Sequence, residues 1–171
     1  MIYAHLPAGY ITSRLLFGKF EKHKVSYDWF RFWGMIGAIA PDFDLFYFFF
    51  IDENRFHHHE YITHFPLFWL ALLLLSVEWM QIDRCRRQMP VLAVIFTLNG
   101  FIHMILDTLV GSLHWLAPFG TPDQLFSLQP YNPVSKGFLE YFIFLFALYL
   151  LKREFIPSLR VFFRIPQTDK S

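Results

Sequence analysis

The chain has 171 residues, enough for one domain, of which 55% are hydrophobic and 23 are phenylalanine, with a mean hydropathy of +0.34. That is too apolar for an ordinary soluble domain, and a formal net charge of +1, with the basic residues grouped at the ends of apolar runs, argues against nucleic acid as a partner. The single cysteine, Cys85, excludes an intramolecular disulfide and a cysteine-based zinc site; its setting among Arg84, Arg86 and Arg87 would permit palmitoylation.

No charged start, apolar core and small-residue cleavage site open the chain, so insertion is expected to use internal segments and no removable signal peptide. A bilayer core about 30 Å thick takes roughly 20 residues of apolar helix, which ranks the runs in chain order. Tyr3 to Gly18, with Pro7, Gly9 and Arg14, reads as a short tilted or re-entrant helix. Phe32 to Ile51 is long enough to span, although Pro41, Asp42 and Asp44 interrupt it. Pro66 to Ile82 is nearly long enough, with Pro66 suited to the first helical turn. Pro90 to Val110 is also long enough and carries Asn99, His103 and Asp107. Gly137 to Leu151 is short, and spans only with local thinning or with Lys152 and Arg153 snorkelling to the interface. The expected fold is an all-α, polytopic transmembrane helix bundle of about four spans plus a short N-terminal helix. One integral membrane domain over 1–171 is expected, with an amphipathic tail over about 152–171 on the cytoplasmic surface.

Basic residues orient the bundle, because cytoplasmic loops hold the excess of Lys and Arg. Thirteen fall before the first full span, between the second and third, or after the fourth; only Arg55 and Lys136 fall in the other loops. The C-terminus is therefore expected in the cytoplasm, with Asp52 to Thr63 and Gly111 to Lys136 on the outer side. An integral membrane location follows.

Ionisable groups are costly at membrane depth, on the order of 3 kcal/mol or more each, so those that occur there are candidates for function. His103 and Asp107 are four residues apart with no helix breaker between them, which puts both on one helical face within reach of a common ion. A structural His–Asp bond between packed helices is the alternative. Asp42 and Asp44 would point about 200° apart on a regular helix. A break at Pro41 lets both carboxylates face one site, where their repulsion calls for a shared proton or cation. His57, His58, His59 and His64 crowd the outer end of the second span. His23, among the cytoplasmic basic residues, reads as a surface residue, and His114 as a substrate contact or an interface residue.

These residues resemble the motifs of the membrane-bound metal-dependent hydrolases of bacteria and archaea, the YdjM-like family. The resemblance rests on His5 near the start, Pro41-Asp42-x-Asp44, His59-x-x-x-Thr63-His64, and His103-x-x-x-Asp107 followed by Gly111 and Pro118-Phe119. It implies a metal site built from His5, Asp42, Asp44, His59, His64, His103 and Asp107, and an integral plasma (inner) membrane location. Glu60 stands where the family usually has arginine, a loss that matters if arginine holds an anionic substrate; Arg55 could substitute. Phe65 replaces the usual small polar residue.

Imidazole and carboxylate ligands suit zinc, manganese or iron without deciding between them; zinc is the expected ion, with manganese or iron as alternatives, and the donor number allows one or two ions. The expected function is a membrane-embedded, divalent-metal-dependent hydrolase acting on phosphoester or lipid-like substrates, with membrane lipid and a small or lipid-like substrate as partners; Glu60 reads as a general base or, alternatively, as an exposed loop carboxylate. The rival is a non-catalytic metal-binding or ion-transporting protein, which would place its ligands near the midplane.

Overall fold

The computed structural model describes residues 3–52, 61–83, 87–120 and 133–162. Among them the chain is helical, without a strand: α1 His5–Phe20, α2 Tyr27–Ile39, α3 Asp44–Phe50, α4 Pro66–Ile82, α5 Gln88–Val110 and α6 Pro133–Phe162.

Local chemistry sets the boundaries. Ser26 precedes α2 in an extended conformation, and its Oγ accepts the Trp29 N–H at 3.3 Å, satisfying one of the donors that a helix start leaves over. Pro66 occupies the first turn of α4, where its missing N–H costs nothing. Between α2 and α3 the residues Ala40–Phe43 tighten into a 3-10 turn around Pro41. The expected first span is thus two helices of 13 and 7 residues joined by a turn.

α2 packs on both α1 and α5, α4 packs on α5, and α6 packs on α1. Small residues allow the closest crossings. A Cβ at Gly37 would stand 2.1 Å from the carbonyl oxygen of Phe96, so α2 and α5 touch backbone to backbone there. One apolar cluster gathers Val25, Phe30, Val91, Leu92 and Ile95 at the end of the bundle where α2 begins; another gathers Ala40, Trp69, Met104 and Leu113 at the opposite end.

Many large apolar side chains stay outside: Phe46 and Phe50 of α3, Leu74 and Leu75 of α4, and Phe138, Tyr141 and Phe142 of α6 are all exposed. So much exposed hydrocarbon suits contact with lipid better than with water. Among the described residues one stretch, Gln88–Leu109 of α5, is long and apolar enough to cross a membrane by length and composition. α4 is shorter at 17 residues, and the turn at Pro41 divides the candidate over Phe32 to Ile51.

Two expectations change. α6 does not stop at Leu151 but continues to Phe162. The charged residues that close the apolar run are good helix formers, and Glu154 is anchored across the bundle: Arg14 pairs with it at 2.9 Å, Arg31 at 3.5 Å, and the Tyr27 hydroxyl donates to it at 2.7 Å. His23 is not a surface residue. The 3-10 turn Glu21–His23 packs against α1, and His23 is buried, with its ring tilted towards Phe20 at 6.4 Å between centroids.

Candidate metal centre

Four elements bring their polar groups to one end of the bundle. His5 opens α1, Asp42 lies in the turn after α2, His64 ends a short 3-10 turn before α4, and His103 and Asp107 lie in the second half of α5. His5, His64, His103 and Asp107 are buried; the Asp42 side chain keeps 27% of its surface exposed.

The donor atoms converge. Asp107 sends Oδ1 to Nε2 of His5 and Oδ2 to Nε2 of His103, each at 3.2 Å. Asp42 Oδ1 lies 3.5 Å from Nε2 of His64 and 3.6 Å from Nε2 of His103. The rings of His5 and His103 stack with centroids 3.5 Å apart, and His64 meets His103 edge-on at 5.6 Å. Two triads, His5–Asp42–His103 and His64–His103–Asp107, have ligand atoms within 4.8 Å of one another. These buried His and Asp groups could hold a metal ion.

Two observations test that fit. The Nε2 atoms of His5 and His103 are buried and make no hydrogen bond, although carboxylate oxygens lie 3.2 Å away. Nitrogen and oxygen lie close without a hydrogen bond between them, an arrangement that a shared cation would satisfy. The tautomer also fits. His103 Nδ1 sits 2.7 Å from the carbonyl of Ala38, and a carbonyl only accepts, so Nδ1 carries the hydrogen and Nε2 keeps the lone pair that a metal needs. Ala38 lies one residue before the end of α2, where the last carbonyls have no intrahelical partner, and this leaves its carbonyl open to the histidine.

Behind this group, Asp44 Oδ2 accepts from Nδ1 of His64 and from the Thr63 hydroxyl, both at 2.5 Å, and the Trp69 indole donates to the Thr63 carbonyl at 2.7 Å. On the approach to His64, Tyr61 donates to Asp52, and desolvation together with that bond pushes its hydroxyl up to about 12.

Of the seven ligands implied by the motifs, His5, Asp42, His64, His103 and Asp107 come together, while Asp44 belongs to neither triad and stands behind His64. His59, with His57, His58, Arg55 and Glu60, lies outside the described residues. His114 also belongs to neither triad. Sequence reasoning missed the parts played by the Ala38 carbonyl and by Thr63. The first has no side-chain signature; the second was signalled only by its place before His64.

The family model for the YdjM inner membrane protein matches residues 1–163, a range that includes every converging residue. The chain belongs to the YdjM family. Searches of curated proteins and of solved structures return no match. Membership agrees with the membrane character read from composition and with α5 as a membrane-crossing helix.

Proposed function

We propose that this YdjM-family protein is a membrane-embedded, divalent-metal-dependent hydrolase, with zinc as the resident ion and a phosphoester or lipid-like substrate. The observation that carries the reading is the convergence of three imidazoles and two carboxylates in a buried centre whose more exposed member is Asp42. A catalytic zinc leaves one coordination position to water or substrate, and the partly exposed side at Asp42 is where either would enter. A divalent ion would supply Lewis acidity there, making water acidic near neutral pH and polarising a carbonyl or phosphoryl oxygen.

The residues divide the work. His103 and Asp107, one turn apart on α5, form the rigid half of the centre, and His5 closes it from α1. Asp42, on the accessible side, completes the ligand set where water or substrate enters. Because His103 belongs to both triads and its Nε2 has one lone pair, the described donors favour one ion over two. Glu60 as general base and Arg55 as anion holder complete the reading. So do four spans, with lipid against the exposed aromatic faces of α3 and α6, a cytoplasmic C-terminus and an outward-facing centre in the inner membrane.

The test is turnover. Protein purified in detergent and loaded with zinc is expected to cleave an activated phosphodiester or a phospholipid, and His103→Ala to abolish the cleavage. Stoichiometric zinc without turnover on either substrate class would instead favour a non-catalytic metal-binding or ion-transporting protein.

A further inference from the structure

The motif resemblance counts Asp44 among the ligands, but its contacts point elsewhere. Its Oδ2 is engaged twice at 2.5 Å, by Nδ1 of His64 and by the hydroxyl of Thr63, and Asp44 is absent from both triads. Nδ1 and Nε2 lie on opposite sides of an imidazole, so a carboxylate at Nδ1 is on the far side of the ring from Asp42, which lies 3.5 Å from Nε2. Thr63 is held in turn, since its carbonyl accepts the Trp69 indole N–H at 2.7 Å. Asp44 is 6% exposed, and its Oδ1 has no hydrogen-bond partner among the described residues.

We propose that Asp44 is a positioning residue: it fixes the tautomer and ring direction of His64 and does not ligate the ion, an inference that rests on the metal-centre reading above. A metal-bound histidine commonly donates its second N–H to a carboxylate or a backbone carbonyl, which orients the ring and raises its basicity. The centre uses both devices, since the Ala38 carbonyl holds His103 as Asp44 holds His64. The Pro-Asp-x-Asp element therefore splits its two carboxylates between tasks: Asp42 faces the ion, and Asp44 faces the ligand beside it.

Cobalt(II) bound to the full-length protein in detergent tests this, because its visible bands report ligand number and geometry while a competition titration reports affinity. Asp44→Asn keeps an oxygen that accepts from Nδ1, so the wild-type bands and one-to-one stoichiometry are expected to persist, with affinity lowered no more than about 10-fold; Asp44→Ala should lose about 10–100-fold. Thr63→Val, which removes a prop of Asp44 and no ligand, should lower affinity by up to about 10-fold with unchanged bands, and it serves where the Asp44 variants fail to fold. Asp42→Asn should alter the bands. Altered bands in Asp44→Asn, matching those of Asp42→Asn, or undiminished affinity in Asp44→Ala or Thr63→Val, would overturn the positioning role and leave the metal centre standing. Failure of the wild-type protein to bind cobalt would overturn both.

Discussion

His103 of α5 donates its Nδ1 hydrogen to the backbone carbonyl of Ala38, 2.7 Å away on α2. A side chain aimed by another helix's backbone depends on how closely the two helices approach, and Gly37 against the Phe96 carbonyl permits that approach. The packing of α2 on α5 thus sets the geometry of the site.

Gly37→Ala is therefore expected to destabilise the protein by about 1–3 kcal/mol, since a Cβ 2.1 Å from a backbone oxygen forces the helices apart. The helix propensity that alanine gains over glycine, about 1 kcal/mol, pulls the other way and is the smaller effect. Thermal melting in detergent together with zinc content checks this. Both should fall, and an unchanged melting temperature with full zinc content would break the link between helix approach and site.

Glu154 ties α6 to α1 and α2 through Arg14, Tyr27 and Arg31. Glu154→Ala removes charge-assisted bonds from partly buried partners, each bond worth about 1.5–3 kcal/mol where a charged group takes part. A lowered melting temperature is expected with zinc content unchanged, because neither triad includes a residue of α6. Loss of zinc in a variant that still folds would show that α6 holds the centre in place.

The sequence displayed some of this directly. His103 and Asp107 share a face because their spacing and the unbroken apolar run require it, and the turn at Pro41 follows from an imino acid that cannot continue a helix. Pro66 marked the start of α4 for the same kind of local reason. His5 entered only through family resemblance, since nothing near it in the chain predicts that it stacks on His103. Asp44 was grouped with Asp42 because a break at Pro41 and the motif let two carboxylates face one site, and neither shows which nitrogen each one faces. His23 was misread because its charged neighbours describe the composition of the turn and not the direction in which it folds. Charge also hid the continuation of α6, where Lys152, Arg153 and Glu154 end an apolar run without ending a helix.

Removing metal should loosen the bundle as a whole, because the centre joins α1, α5, the turn after α2 and the short turn before α4. A ligand that binds only the folded state stabilises it by about 2.7 kcal/mol at 100 times its dissociation constant. Exhaustive chelation is expected to lower the melting temperature, and returned zinc to restore it. In His103→Ala, which breaks both triads, the melting temperature should no longer respond to zinc. A wild-type melting curve indifferent to chelator and zinc would count against an ion that bridges these helices.

The most direct measurement is the divalent metal content of the detergent-purified protein, taken beside a folded Asp107→Ala variant. Asp107 reaches His5 and His103 with separate oxygens, both at 3.2 Å, so the account predicts about one ion per chain in the wild type and a loss of most of it in the variant. A wild-type protein without metal after reconstitution, or a variant that retains the full complement, would contradict the metal centre and leave these residues as a hydrogen-bonded lock between helices.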